Sequence, residues 1–168
     1  GLGSNVAGYY RSADEYSRLA HPSSNEKEMF YINADAVLPG EAYVYSTLAH
    51  EFQHMIHWYH DRNEESWMNE GASELAAFIN GYSVGGADYL FVRDPDLQLT
   101  TWSSSTSPDF SSHYGAAFLF IAYFLDRFGE QATQALVADP ANGLQAVAET
   151  LTALDLRDAV TREPITAD

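Results

Sequence analysis

Residues 41–60 have the sequence EAYVYSTLAHEFQHMIHWYH, in which apolar side chains recur every three or four positions. These side chains form one apolar stripe, made of Val44, Leu48, Phe52, Ile56 and Tyr59. The spacing predicts an amphipathic helix that ends near Asp61. A second helix is predicted over 66–80, with Gly81 as its stop. Its expected buried residues are Trp67, Leu75, Phe78 and Ile79.

The first predicted helix contains the pattern His50-Glu51-Phe52-Gln53-His54. Residues four apart lie one turn apart on the same helix face, so His50 and His54 could hold one cation. Glu51 points to the side of that pair, where it could reach a metal-bound water without becoming a ligand. The chain has no cysteine, so a metal here must use histidine and carboxylate ligands, a set that indicates Zn²⁺.

Two histidines do not complete a catalytic zinc site, which typically has three protein ligands and a water. If the helix continues past His54, His60 lies about 15 Å along the axis from His50 and cannot reach the same ion. Fifteen residues separate His54 from Glu70, which is enough chain to end the first helix, turn and place a second helix beside it. Glu70 on this second helix is therefore the predicted third ligand. Glu74 shares its face and is expected to orient a ligand histidine, the alternative being a solvent-facing carboxylate.

The pairing of HEFQH with WMNEGASE, residues 67–74, resembles the gluzincin metallopeptidases. The residues of these two motifs are most similar to those of the hyicolysin-like bacterial peptidases. The resemblance extends over about 29–128. It implies zinc-dependent hydrolysis of peptide bonds, with Glu51 as general base and acid and Glu74 orienting a ligand. The implied zinc ligands are His50, His54 and Glu70.

Gluzincins usually add a tyrosine or histidine that donates a hydrogen bond to the oxyanion. His113-Tyr114-Gly115 lies at the start of a helix predicted over 112–128. The resemblance therefore makes Tyr114 the expected oxyanion donor and His113 its alternative, although a buried core tyrosine would show the same pattern. His57 could approach a substrate, but the favoured interpretation is an ordinary, satisfied polar residue.

The predicted fold class is α+β and mostly helical: a zincin-like catalytic domain with an active-site helix, a Glu-bearing second helix and a small edge-stranded sheet. Strands are predicted near 6–10 and 29–33, and the second is expected to pair with substrate backbone. The 168 residues are interpreted as one catalytic domain, complete or truncated at either end. Its parts are a strand-containing upper part (1–40), a metal-binding helix pair (41–80), a long loop (81–111) that is a lid or an insertion, and a helical lower part (112–168) with helices near 130–138 and 142–154.

Acidic residues outnumber basic residues 24 to 8, which gives a formal net charge of −16. This balance argues against a nucleic-acid partner and against docking on an anionic membrane. No stretch approaches the roughly 18 apolar residues of a membrane span, so no membrane insertion is expected. Acidity, absence of cysteine and the family resemblance together indicate a secreted or extracellular, bacterial-like protein. Because the chain starts at Gly1 without Met, we interpret it as a processed or excised piece.

Zinc-dependent endopeptidase activity on a polypeptide substrate is the preferred interpretation, because no acidic, Gly-rich motif of the aminopeptidase N type precedes HExxH. A binding or adhesion module on a peptidase-like scaffold is the first alternative. Such a module could hold Ca²⁺ through loop carboxylates, for which the candidates are Asp94, Asp96 and Asp109. A zinc hydrolase acting on a non-peptide amide is the second alternative.

Overall fold

A computed structural model describes residues 6–158 and 160–166, which form a mostly helical α+β structure with a small sheet. Residues 1–5, 159, 167 and 168, within the predicted upper and lower parts, lie outside the described residues. The elements are β1 (Gly8–Tyr10), a 3-10 turn (Ser12–Glu15), β2 (Phe30–Ile32), α1 (Ala42–His60), α2 (Ser66–Ile79), α3 (Ala87–Arg93), α4 (Phe110–Ala138) and α5 (Gly143–Ala153). The described α1 and α2 agree with the two helices predicted from the apolar spacing.

The hydrophobic core lies where α2, α4 and α5 meet, and α2 also packs against α1. Close approach of α2 and α4 depends on Gly71, because a Cβ there would lie 2.7 Å from the carbonyl oxygen of Ala117. A Cβ on Gly115 would similarly lie 2.0 Å from the carbonyl oxygen of Ala87, so α3 packs directly on α4. Gly71 directly follows Glu70, and Gly115 directly follows Tyr114. The close packing at the two glycines therefore fixes the positions of these two predicted site residues.

The apolar stripe of α1 is not the buried face that its spacing suggests. Phe52 is 52% exposed and Tyr59 is 79% exposed, whereas Glu51 and His57 are buried. The reason is that α1 is covered by the sheet and α2, which contact the face carrying its polar residues. The expected burial of Phe78 and Ile79 at the end of α2 is also wrong, since both are more than half exposed, while that of Trp67 and Leu75 is confirmed.

The connection 81–111 is not a plain loop, because it contains the seven-residue helix α3. Beyond it, the predicted helices near 112–128 and 130–138 join in α4, with Gly129 at φ 83° interrupting the helix at the predicted stop. The last predicted helix is α5. None of the helices within the described residues is long and apolar enough to cross a membrane.

The two strands pair antiparallel, with Tyr9 opposite Tyr31 and their rings stacked 4.4 Å apart. Both strands are shorter than predicted. The strand that contacts Glu51 on α1 is β1, through the backbone of Tyr10, and not the strand predicted over 29–33. The sheet therefore packs against the helix that carries HExxH.

Candidate metal centre

Three side chains from α1 and α2 converge on one point. His50 Nε2 and His54 Nε2 lie 3.0 Å apart, and Glu70 Oε2 is 3.2 Å from the first and 3.5 Å from the second. Ligands bound tetrahedrally at zinc distances are separated by about 3.3–3.6 Å, which follows from bonds of about 2.0–2.2 Å. The structure thus brings together the three predicted ligands, with separations that lie within about 0.3 Å of this range, so one ion could bind all three.

The donor atoms also have the environment of a cation site. Glu70 Oε2 is buried, and no N–H or O–H group points at it with hydrogen-bond geometry. A buried carboxylate oxygen of this kind requires another partner, because most buried polar atoms are satisfied. A divalent ion placed among the three atoms would satisfy it, so the residues present fit the metal.

Side-chain oxygens of α2 lie next to Nδ1 of both imidazoles and orient the rings. Glu74 Oε1 lies 3.3 Å from His50 Nδ1. On His54, Nδ1 lies 2.9 Å from Asn69 Oδ1 and 3.1 Å from Ser73 Oγ. We assign the ring protons to Nδ1, which leaves each Nε2 lone pair directed at the shared point.

Asn69 and Ser73 were missed by the sequence analysis. Ser73 is fully buried, and its hydroxyl donates to the backbone oxygen of Asn69, so its own oxygen can accept from His54. A signal was available, because the pairs 69/73 and 70/74 share the i, i+4 spacing that places two side chains on one helix face.

Without a metal, His50 and Glu70 each favour the charged form of the other. Burial opposes the imidazolium form of His50, but the adjacent carboxylates of Glu70 and Glu74 outweigh it and raise the pKa of His50 to about 10. Burial likewise opposes the carboxylate of Glu70, but the imidazoles of His50 and His54 lower its pKa to about 2. A cation entering the site would therefore replace a proton on His50.

Glu51 lies one residue after His50 and is 7% exposed. Its Oε2 accepts a hydrogen bond of 2.7 Å from the backbone N–H of Tyr10, the last residue of β1. The carboxylate of Glu51 is therefore held between α1 and the sheet.

Tyr114, in the second turn of α4, lies near the carboxylates of the site. Burial and then three nearby negative charges raise its pKa, so its hydroxyl remains a hydrogen-bond donor. These charges belong to Glu70, Glu74 and Glu51. His113 is also buried, but its Nε2 lies 3.6 Å from Asp109 Oδ2 and its ring packs near Trp102. Of the two residues predicted as oxyanion donors, Tyr114 is the one whose pKa the carboxylates of the site raise.

The remaining histidines of α1 lie apart from the three ligand atoms. His57 is buried, with its Nε2 3.7 Å from Glu64 Oε2. His60 is exposed at the end of α1, in contact with the ring of Tyr59.

Within residues 6–158 and 160–166, one group of three or more ligand-type side chains is close enough to share an ion, namely His50, His54 and Glu70. The predicted calcium ligands Asp94, Asp96 and Asp109 form no such group, so the structure gives Ca²⁺ no support.

A cavity of about 210 Å³ opens beside the site and is lined by Glu74 and Tyr114. The rest of its wall comes from α3, the residues before it and the start of α4. These residues are Val84, Gly85, Ala87, Leu90, Phe110 and Ser111. The segment 82–111 therefore contributes a wall next to the predicted metal ligands.

No protein-family model matches the chain. Among curated proteins, the neutral metalloprotease ShpI of Staphylococcus hyicus is 26% identical over 167 residues, which cover 86% of this chain and 36% of that protein. The chain thus spans about a third of the length of the relative it matches. This similarity supports a distant relationship to a metalloprotease.

Proposed function

We propose that this chain forms the zinc centre of a gluzincin-type, hyicolysin-like peptidase that hydrolyses peptide bonds in proteins. The observation that carries the proposal is the convergence of His50, His54 and Glu70 within 3.5 Å of one another. The second supporting observation is that the other nitrogen of each imidazole lies within 3.3 Å of a side-chain oxygen of α2. Distant similarity to a neutral metalloprotease agrees with this assignment.

The proposed chemistry divides between the ion and the side chains. Zinc, when bound, would polarise the scissile carbonyl and lower the pKa of its water toward about 7. Glu51 would accept a proton from the attacking water and then deliver it to the leaving amine. Tyr114 would donate its hydroxyl proton in a hydrogen bond to the developing oxyanion, for which its raised pKa keeps it protonated.

The cavity beside Glu74 and Tyr114 is proposed to hold one substrate side chain. At about 210 Å³ it is smaller than the roughly 300–1,000 Å³ of pockets that enclose whole ligands. Val84, Leu90 and Phe110 form the apolar part of its wall, and Glu74, Ser111 and Tyr114 form its polar part. We therefore expect the side chain next to the scissile bond to contact both parts of this wall.

The wider assignment is also a proposal, because the chain spans about a third of its relative. A secreted endopeptidase acting on polypeptides agrees with the net charge of −16 and the absence of cysteine. Residues 1–168 are proposed to act as one catalytic domain, with helices α1 and α2 holding the ion.

The test compares wild-type protein with Glu51→Gln. We expect one zinc ion per chain in both, and casein hydrolysis by the wild type that a zinc chelator removes and added zinc restores. Glu51→Gln should lower turnover by about 10²–10⁴-fold while the zinc content is unchanged. Zinc binding without hydrolysis by the wild type would favour the binding module instead. Full activity of Glu51→Gln would contradict the role of that residue.

A further inference from the structure

A backbone amide of the sheet contacts the proposed general base. The N–H of Tyr10 donates to Glu51 Oε2 at 2.7 Å, although the two residues are 41 positions apart in the chain. We propose that this amide is a positioning group, which fixes the carboxylate of Glu51 for proton transfer. The inference rests on the proposed function, and it assigns to β1 a role that its sequence does not show.

The pairing of the strands explains why this N–H is available. Asn33 donates its N–H to the carbonyl oxygen of Ala7, and the register places Tyr10 opposite Phe30. In an antiparallel pair, hydrogen-bonded and non-hydrogen-bonded positions alternate. Ala7 and Tyr9 are therefore at hydrogen-bonded positions, whereas the N–H of Tyr10 points away from β2 and toward α1.

Several contacts hold β1 at this distance from α1. A Cβ on Gly8 would lie 2.8 Å from Thr47 Cγ2, so the strand backbone rests against α1 one turn before Glu51. On β2, Tyr31 stacks on Tyr9 and donates its hydroxyl to the buried carboxylate of Asp14. The amide is therefore part of a packed framework.

Fixing one oxygen of Glu51 leaves the other to exchange the proton. A glutamate side chain has three rotatable torsions, and a general base must remain within hydrogen-bond reach of the proton that it accepts. A hydrogen bond to a charged acceptor contributes more than a neutral one, so its loss should broaden the orientations of the carboxylate. Because the zinc ligands do not contact this amide, the effect should appear in turnover and not in zinc binding.

The decisive experiment replaces the Tyr10 amide by an ester, using a nonsense codon and the hydroxy-acid analogue of tyrosine in the otherwise native protein. This change removes the N–H and leaves the side chain intact. With zinc bound, we expect kcat on a peptide substrate to fall about 10- to 100-fold. The KM and the zinc dissociation constant should stay within about twofold of the wild-type values.

Two further variants separate positioning from stability. The same ester at Tyr9 weakens the strand pairing but leaves the contact to Glu51, so it should lower the unfolding midpoint and keep kcat within about twofold. Gly8→Ala would place a Cβ 2.8 Å from both Thr47 Cγ2 and the carbonyl oxygen of Tyr31, so β1 must shift, and kcat should fall while zinc binding is retained.

The outcomes distinguish the two proposals. A wild-type kcat in the Tyr10 ester, with a wild-type protein that cleaves peptides, would overturn the positioning role alone. Equal losses of kcat in the Tyr9 and Tyr10 esters would also overturn it, because they would show a general effect of the weakened sheet. A zinc-loaded wild type that cleaves no peptide would overturn the proposed function and this inference together.

Discussion

Zinc affinity should depend on Asn69 and Ser73, two neutral side chains whose oxygens both accept from the Nδ1–H group of His54. His54 Nδ1 lies 2.9 Å from Asn69 Oδ1 and 3.1 Å from Ser73 Oγ. In Asn69→Ala or Ser73→Ala one acceptor remains, so each should weaken zinc binding by only about 2- to 5-fold, near the low end for a neutral hydrogen bond. The double variant leaves a mostly buried N–H without a partner, and its affinity should fall about 100-fold, at the upper end for an outer-shell group.

A competition titration against a chelator of known zinc affinity, at one fixed pH, measures these dissociation constants. Neither replacement changes a charge, so competition between zinc and protons stays nearly constant across the series. Asn80→Ala is the matched control, because Asn80 follows α2 and its side chain is exposed. Thermal unfolding of the metal-free proteins checks that folding is intact. If the double variant bound zinc no more weakly than the product of the two single effects, the shared-acceptor argument would be refuted.

Four further predictions concern turnover, specificity, protons and packing. Tyr114→Phe should lower kcat about 10²–10³-fold with the zinc content unchanged, as measured by steady-state kinetics and metal analysis. Leu90→Ala enlarges the cavity beside the site, so in a series of peptides it should shift kcat/KM toward substrates with larger apolar residues by about 3- to 10-fold. Val92→Ala is the control, because Val92 is on the same helix but outside the cavity wall, and it should leave this preference unchanged. Because the pKa of metal-free His50 is raised to about 10, zinc must displace a proton from His50 below that pH. The apparent zinc affinity should therefore increase by up to about tenfold for each pH unit between pH 7 and 9. A zinc affinity that does not change with pH would contradict this prediction. Gly71→Ala should lower the free energy of unfolding by about 1–3 kcal/mol in urea titrations, since the new Cβ would meet the α4 backbone at 2.7 Å.

The helix pair could be predicted because its signals are local. The i, i+4 spacing of His50 and His54 places both imidazoles on one helix face, and the chain after them has room for one turn before Glu70. The structure brings these residues together at metal-ligand spacing. Glu74 could be placed by the same argument, because it shares a helix face with Glu70.

The rest depends on contacts between elements, which periodicity does not report. Spacing identifies the apolar stripe of α1 but not the direction that it faces, and Phe52 is half exposed because the sheet and α2 cover another side of the helix. The helix α3 is too short for its periodicity to be recognised. The donor from Tyr10 to Glu51 is a backbone group, so no residue type in the sequence marks it.

The central claim is that one zinc ion is held by His50, His54 and Glu70. Anomalous scattering at the zinc absorption edge, from crystals of the protein loaded with one equivalent of zinc, tests it most directly. We predict a single strong peak about 2.0–2.2 Å from Nε2 of both histidines and from Oε2 of Glu70. A peak at another group of residues, or no peak between α1 and α2 in fully loaded crystals, would contradict the account.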